Sequence, residues 1–384
     1  MNPRKLCLPI TTRGNYAKLK PVLIGALDCP DLTPQVILAG GAILPKYGNI
    51  AQTMENKFEI SRKIPFIIEG ENLLSMAKSA GIALSEFATA FENIKPDIVM
   101  VVGDRYETLS IVIAASFMNI PVAHLEGGEV SGSIDESIRH AITKLSHLHF
   151  PCSQEAKERI IKLGEAEETV FTVGATSLDS MVAADLNDLS ELAESQKTIG
   201  VGPILNLDNG YLVVLYHPVT TEYGNLRQNV DDLIEAINIL SFPTIWLWPN
   251  MDAGSDVLSN VLRSFREIMN PSFIHFFKSL PIEIFGPLLN NCRCVIGNSS
   301  AGIRESAFLG VPSVNVGTRQ QGRERGRNVM DVKGSKDEIV QAIKKQIAHG
   351  KYESDKIYGD GRAGQRIVNI LKNFEFNIQK RINY

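Results

Sequence analysis

Short apolar runs rich in β-branched residues recur along this chain, separated by stretches of a dozen or more residues with helical periodicity. That alternation restricts the fold more than any other feature. The runs 6–10, 35–38, 97–102, 121–124 and 169–173 are interleaved with helical stretches at 16–27, 73–93, 106–117 and 134–147. Strand, helix and strand in succession call for a parallel sheet covered on both faces. After residue 179 the pattern decays into an acidic stretch, 185–194, and a Gly/Pro/Asn/Asp-rich passage, 200–210, which reads as a domain boundary. A second series follows, with strands expected at 211–216, 244–248, 273–276, 294–297 and 313–316, and helices at 226–240, 256–269, 282–289, 301–309 and 336–349. The 384 residues suffice for two domains of about 150 to 200 residues. The expectation is an α/β fold of two Rossmann-like, doubly wound domains, 1–185 and 205–362, with a basic helical segment, 363–384, crossing back onto the first. Two such domains can face one another across a cleft, with ligands at the carboxyl ends of the strands.

Charge narrows the partners. Lys plus Arg total 39 against 43 Asp plus Glu, a net charge of −4, so no global positive field draws in nucleic acid or an anionic membrane. The longest apolar stretches, 111–117 and 211–216, fall far short of the ~20 residues that span a bilayer. The N-terminal apolar run, 6–10, is too short for a signal peptide, so a soluble cytoplasmic protein is expected. Five cysteines (Cys7, Cys29, Cys152, Cys292 and Cys294) at unrelated spacings argue against a disulfide framework and for buried, unreactive thiols.

Neither a Walker phosphate loop nor a strand-following Gly-x-Gly-x-x-Gly occurs, which favours chemistry without a nucleotide triphosphate or NAD. The polar residues cluster instead just after expected strands. Gly103-Asp104-Arg105 closes an apolar strand with a charged pair; a helix cap would explain Asp104 but not its neighbour. His124-Leu-Glu126-Gly-Gly-Glu129 runs a short strand into two glycines, which permit a sharp turn or a close backbone approach. In Ser133-Ile-Asp135-Glu136-Ser-Ile-Arg139, Ser133 and Glu136 form a capping-box pattern, and Asp135 and Arg139 have the spacing of an ordinary surface ion pair. Tyr216-His217-Pro218 places a histidine at another strand end. Gly297-Asn298-Ser299-Ser300-Ala-Gly302-Ile-Arg304-Glu305 reads as strand, small polar residues, then helix, which suits a phosphate at a helix N-terminus. The loop Gly317-Thr-Arg319-Gln-Gln-Gly-Arg323-Glu-Arg325-Gly-Arg327 is basic and glycine-rich and fits a mobile segment closing over an anion. His147 and His149 lack an obvious third metal ligand beyond Cys152.

In register, these segments resemble the hydrolysing UDP-N-acetylglucosamine 2-epimerases that open sialic acid and related nonulosonic acid pathways. The resemblance runs from Thr12-Arg13 and Lys18-Leu-Lys-Pro21 to Val-Gly-Thr-Arg319 and covers nearly the whole chain. It implies a glycosyltransferase-B-like pair of Rossmann domains and no metal or cofactor. By resemblance, Asp104, Glu126 and Asp135 are the acid/base carboxylates, with Arg105 and Arg139 orienting them or the leaving group and His217 counted in the catalytic set as well. Arg13, Lys18, Arg105, His217, Ser299, Ser300 and Arg319 are expected on UDP, Glu305 on its ribose, and Asn250 as a further UDP-side contact. The implied partners are a UDP-sugar and further copies of the chain, as a homodimer or homotetramer. Two departures fall in loops expected to face the sugar: Asn15 stands where the family usually has an acidic residue, and Gly40-Gly41-Ala42 stands where a Gly-Met-His pattern is common. They point to a pocket with apolar room and tolerance for changes at carbons 4 and 6. A glycosyltransferase of the same fold and a non-catalytic nucleotide-sugar-binding protein are the competing classes.

Overall fold

A computed structural model of the protein describes residues 2–45, 50–70, 72–131, 134–219, 226–249 and 255–383. The chain divides into two compact units, the first comprising Met1–Glu129, Ile134–Asp179 and Tyr358–Tyr384, the second Val130–Ser133 and Ser180–Ile357.

The first unit is built on six parallel strands: β1 (Arg4–Ile10), β2 (Leu32–Ala39), β3 (Ile60–Ile64), β4 (Ile98–Val102), β5 (Val122–Leu125) and β6 (Leu148–Phe150). They lie in the order β3-β2-β1-β4-β5-β6. All residues of β4 and β5 are buried, which is why β4 is apolar throughout rather than alternating and β5 is apolar but for His124. One face of the sheet is covered by helices Arg13–Leu27 and Ala363–Asn373, whose Leu19, Leu23, Ile367 and Leu371 share a core with Leu6, Leu8, Met100 and Leu148. A side chain at Gly364 would strike Pro21, so the glycine sets how closely these two helices approach. Helices Leu73–Ile94 and Tyr106–Phe117 cover the opposite face through Phe87, Phe91, Ile111 and Ala115.

The second unit contains β7 (Gly200–Val201), β8 (Leu212–Leu215), β9 (Thr244–Leu247), β10 (Ile274–Phe277), β11 (Cys294–Gly297), β12 (Ser313–Val316) and β13 (Val329–Val332). Their order is β13-β12-β11-β8-β9-β10-β7, parallel except for β7, which pairs antiparallel with β10. In both sheets the order turns beside the first long strand, at β1/β4 and at β8/β11. Open α/β sheets present ligand sites at the carboxyl ends of such switch points.

Two expectations need correction. Residues 169–173 form no strand: Glu167–Thr169 is a 3-10 turn, and only Val170 bridges to His149. Residues 301–309 are not one helix, because a 3-10 turn, Ser300–Gly302, precedes a helix of only Arg304–Leu309. Strands β3, β7 and β13 are additional, and β3 escapes an apolar-run reading because Arg62 and Lys63 are exposed on an edge strand. Among the described residues no helix is long and apolar enough to cross a membrane. Cys7, Cys152, Cys292 and Cys294 are buried free thiols, with Cys29 half-buried, and burial pushes the Cys292 thiol up to about 12.

Candidate active site

In the first unit the carboxyl ends of β1, β4 and β5 gather most of the expected chemistry. Gly103 adopts a left-handed φ of 77° after β4 and receives two bonds: its N–H donates to Leu125 O at 2.9 Å, and its carbonyl accepts from His124 Nε2 at 2.8 Å. Since a carbonyl can only accept, the proton of this histidine is on Nε2, leaving Nδ1 to accept from the Thr143 hydroxyl at 3.2 Å. Complete burial lowers the His124 pKa to about 3, so the ring is a neutral strut between β4 and β5.

That strut delivers Asp104 to the end of the sheet, where its carboxylate is bonded by Arg139. Arg139 is 1% exposed and also donates through Nη1 to the Glu129 carbonyl at 2.7 Å. The surface placement expected of Arg139 is therefore not what forms. The guanidinium is buried and ties the end of β4 to the loop after β5, and its length lets it reach what no shorter cation could. A second arginine, Arg159, holds the same loop by donating to the Gly128 carbonyl at 2.5 Å.

Glu126 is one of few non-glycine residues at positive φ, 65°. Its N–H donates to Phe150 O of β6 at 3.1 Å, and Lys18 Nζ lies 2.5 Å from its Oε2. Such a conformation costs on the order of 1–3 kcal/mol and persists where the surroundings enforce it, characteristically at functional positions. Lys18, expected on UDP, is thus engaged by Glu126. Asp135 lies in the first turn of helix Asp135–Leu145, half-buried, and Ser133 of the expected capping box lies outside the described residues. Arg105 donates from Nε to Glu107 Oε1 at 2.6 Å. Arg13, at the start of helix Arg13–Leu27, is half-buried, and desolvation lowers its pKa to about 10. It is still a cation at neutral pH, and no anionic side chain among the described residues bonds it.

Ala42, expected to open apolar room, is 1% exposed and packed in the core, with its N–H on the Thr11 carbonyl at 2.8 Å. Asn15 is also buried, at 7% exposure, against Thr11. Neither side chain lines open space. His147 accepts from the Val122 N–H at 3.2 Å, and His149 faces Glu165; among the described residues no cluster could hold a metal ion.

In the second unit the register pairs Leu215 with Gly297, so the chain ends of β8 and β11 lie side by side. Asn298, which the sequence reading passed over, joins them. Its side chain accepts from the His217 N–H at 2.7 Å and donates to the His217 carbonyl at 2.8 Å, while its own carbonyl accepts from Arg319 Nη1 at 3.1 Å and Gln320 Nε2 at 2.8 Å. One buried amide thereby places His217, Ser299 and Arg319 together. Ser299 caps the following turn by accepting from Ala301 N at 3.4 Å, and Ser300 is 3.3 Å from Arg304 Nη2. With only a six-residue helix behind it, this turn offers N–H groups and hydroxyls but little of the expected helix dipole. Glu305 is 5% exposed, and its Oε2 has no hydrogen-bond partner among the described residues. In the basic loop Arg325 is committed to Asp331 and to the Gln320 carbonyl, and Arg323 is 9% exposed. Asn250 lies outside the described residues.

Two Rossmann-like units carrying polar groups at their switch points define a glycosyltransferase-B-like fold. A solved structure of a UDP-GlcNAc 2-epimerase from Methanocaldococcus jannaschii, in complex with UDP-GlcNAc and UDP, superimposes on 96% of this chain and 99% of its own with a TM-score of 0.79 at 21% identity. The chain belongs to the UDP-N-acetylglucosamine 2-epimerase family, whose model matches residues 27–372. It is similar to a hydrolysing UDP-N,N'-diacetylbacillosamine 2-epimerase of Legionella pneumophila, 34% identical over 98% of this chain and 97% of the relative. It is equally similar, at 34% identity over 86% of this chain and 85% of the relative, to a hydrolysing GDP/UDP-N,N'-diacetylbacillosamine 2-epimerase of Campylobacter jejuni.

Proposed function

We propose that the protein is a hydrolysing 2-epimerase that converts a UDP-2-acetamido-hexose, either UDP-N-acetylglucosamine or a diacetamido-trideoxy relative, to UDP and the free 2-epimeric sugar. The observation that carries this reading is the pair of carboxylates on adjacent strand ends: Asp104 on Arg139 and Glu126 on Lys18. Each is held beside a cation. One carboxylate removes the proton at carbon 2; the C–H electron pair becomes the carbon 1–carbon 2 double bond as the carbon 1–oxygen bond breaks and UDP departs. Water then adds its oxygen to carbon 1 of the 2-acetamidoglucal and passes its spare proton to a carboxylate, while a second, protonated carboxyl group delivers a proton to carbon 2 on the opposite face. Two faces require two acid/base groups, drawn from Asp104, Glu126 and Asp135. Arg13, Arg105, Ser299, Ser300, His217 and Arg319 would hold the diphosphate, whose growing charge on departure makes cations and N–H donors most valuable in the transition state. Glu305, with a buried oxygen left to accept, would take the ribose hydroxyls.

The diacetamido sugar is the favoured substrate because the two relatives at 34% identity are named for it; Ala42, packed in the core, adds nothing to that choice. Incubation of each UDP-sugar in deuterated water, followed by mass spectrometry, tests the reaction. UDP and a free sugar carrying one deuterium at carbon 2 are expected. A product still bearing UDP would make the enzyme non-hydrolysing, and acceptor-dependent UDP release would make it a transferase. For the substrate, kcat/KM for the 4-acetamido-6-deoxy sugar should equal or exceed that for UDP-N-acetylglucosamine. A preference above about a thousandfold for the plain sugar, the mark of a site built to hydrogen-bond its hydroxyls, would make the substrate assignment wrong.

The UDP cradle has its own test. His217→Ala, or Ser299→Ala with Ser300→Ala, should weaken UDP binding measured by calorimetry by about 1.5 to 3 kcal/mol, the loss expected for a charge-assisted phosphate contact. Unchanged affinity in both variants would remove these residues from the cradle.

A further inference from the structure

At the β1/β4 switch point a connected set of buried side chains has no part in the chemistry just described. Thr11 follows β1, Asn15 lies in the first turn of helix Arg13–Leu27, and Glu107 lies in the first turn of helix Tyr106–Phe117. They are 2%, 7% and 2% exposed. The Thr11 hydroxyl lies 3.1 Å from Glu107 Oε1 and also contacts Asn15 Oδ1, while the Thr11 N–H is 3.4 Å from that amide oxygen. The same Glu107 oxygen accepts from Arg105 Nε at 2.6 Å, and Glu107 Oε2 has no hydrogen-bond partner among the described residues. A buried carboxylate with one oxygen unserved costs stability, so its retention calls for something that it holds in place.

We infer that Glu107 is a positioning residue that fixes Arg105 for the diphosphate, and that Asn15 is matched to it through Thr11. The inference rests on the reading of Arg105 as a UDP contact. The hydroxyl of Thr11 has one proton and two neighbours. An amide at position 15 can serve both, because turning its Nδ2 to the hydroxyl, in exchange for the long 3.4 Å bond from the Thr11 N–H, frees the hydroxyl to donate to Glu107. A carboxylate at position 15 can only accept. It would leave one acceptor without a proton and put two negative charges around one hydroxyl. Glu107 and Asn15 therefore act as a set in which one member is the acid and the other the amide. The second residue along a helix from the strand end is an ordinary place for an acid that favours a helix N-terminus, and nothing in the sequence distinguishes Glu107 from one.

The test compares the wild-type protein with Glu107→Gln, Asn15→Asp and the double variant, measuring UDP affinity by calorimetry and kcat and KM separately. Glu107→Gln should weaken UDP binding about tenfold or more and raise KM more than it lowers kcat, because an unanchored Arg105 loses a charge-assisted contact. Asn15→Asp should also weaken binding. Restoring one acid and one amide around Thr11, the double variant should bind UDP about threefold or more tightly than Asn15→Asp alone, a coupling that independent structural damage does not produce. Multiplying losses in the double variant, or a Glu107→Gln protein with unchanged UDP affinity, would overturn the inference. Thr11→Val preserves shape while removing the shared hydroxyl. Should the charged variants fail to fold, it must weaken UDP binding measurably, and wild-type affinity in that protein would overturn the inference equally. A wild-type protein that does not bind UDP would instead overturn the functional reading on which it rests.

Discussion

Asp104→Asn, Glu126→Gln and Asp135→Asn are each expected to lower turnover by ~10² or more, the contribution typical of a positioned acid or base, while UDP affinity stays nearly intact. Each substitution keeps the side chain's shape and removes its ability to gain or lose a proton, and proton transfer at carbon 2 occurs twice in the proposed cycle. The surroundings give the three positions different secondary effects. Asp104→Asn takes the Asp104 carboxylate away from Arg139, 1% exposed, but the Asp104 side chain is itself 27% exposed, so only a modest fall in thermal stability should accompany the loss of turnover. Glu126→Gln meets Lys18, which is 25% exposed at its side chain and able to turn to water, so its stability should change little. Turnover assays with thermal melts and UDP calorimetry on the same preparations separate these effects. A variant that retains wild-type turnover is neither the acid nor the base.

What was legible in the sequence follows from where its signal was generated. The parallel central strands are apolar along most or all of their length, as in β4, so the strand and helix alternation, and with it the α/β class, could be read directly. Edge strands carry no such signal: β3 reads Ile-Ser-Arg-Lys-Ile. Polar residues that interrupt an apolar run stand out, which is how Asp104, Glu126, His217 and Ser299 drew attention. The residues that position them did not stand out. Asn298 and Glu107 are residue types that ordinarily sit at strand ends and helix starts, and their importance lies in partners distant in sequence, such as His217 81 positions away for Asn298. Arg139 shows the same limit, since spacing along its own helix suggested Asp135 as its partner when Asp104, 35 positions earlier, supplies a carboxylate. Ala42 marks a different one: substitution of a polar residue suggests room for ligand, but the small side chain is absorbed by core packing.

Glu165→Gln is expected to destabilise the protein by about 3 kcal/mol at neutral pH, with the difference shrinking as the solution is acidified. Glu165 has a side chain 2% exposed and takes bonds from three donors: Lys144 Nζ at 2.6 Å, Lys380 Nζ at 2.6 Å and His149 Nε2 at 3.1 Å. Burial raises its pKa, but the bonds from His149, Lys144 and Lys380 outweigh that and hold it at about 2, below its ordinary 4.5. A carboxyl group depressed on folding contributes stability that is fully present above its unfolded pKa, and this is lost as pH falls from about 4.5 towards 2. The glutamine variant lacks that contribution at every pH, so the two proteins should converge near the acid end. Lys380 also donates to the carbonyls of Lys144 and Ser146 and draws the chain beyond helix Ala363–Asn373 onto the end of β6. Because Phe150 of β6 accepts the Glu126 N–H, loosening this clasp should reach the strained backbone of a proposed catalytic carboxylate and lower turnover before the unit melts. Chemical denaturation of both proteins at pH 7 and pH 3 gives the comparison. An equal difference at the two pH values would show that the glutamate contributes through packing rather than through its charge.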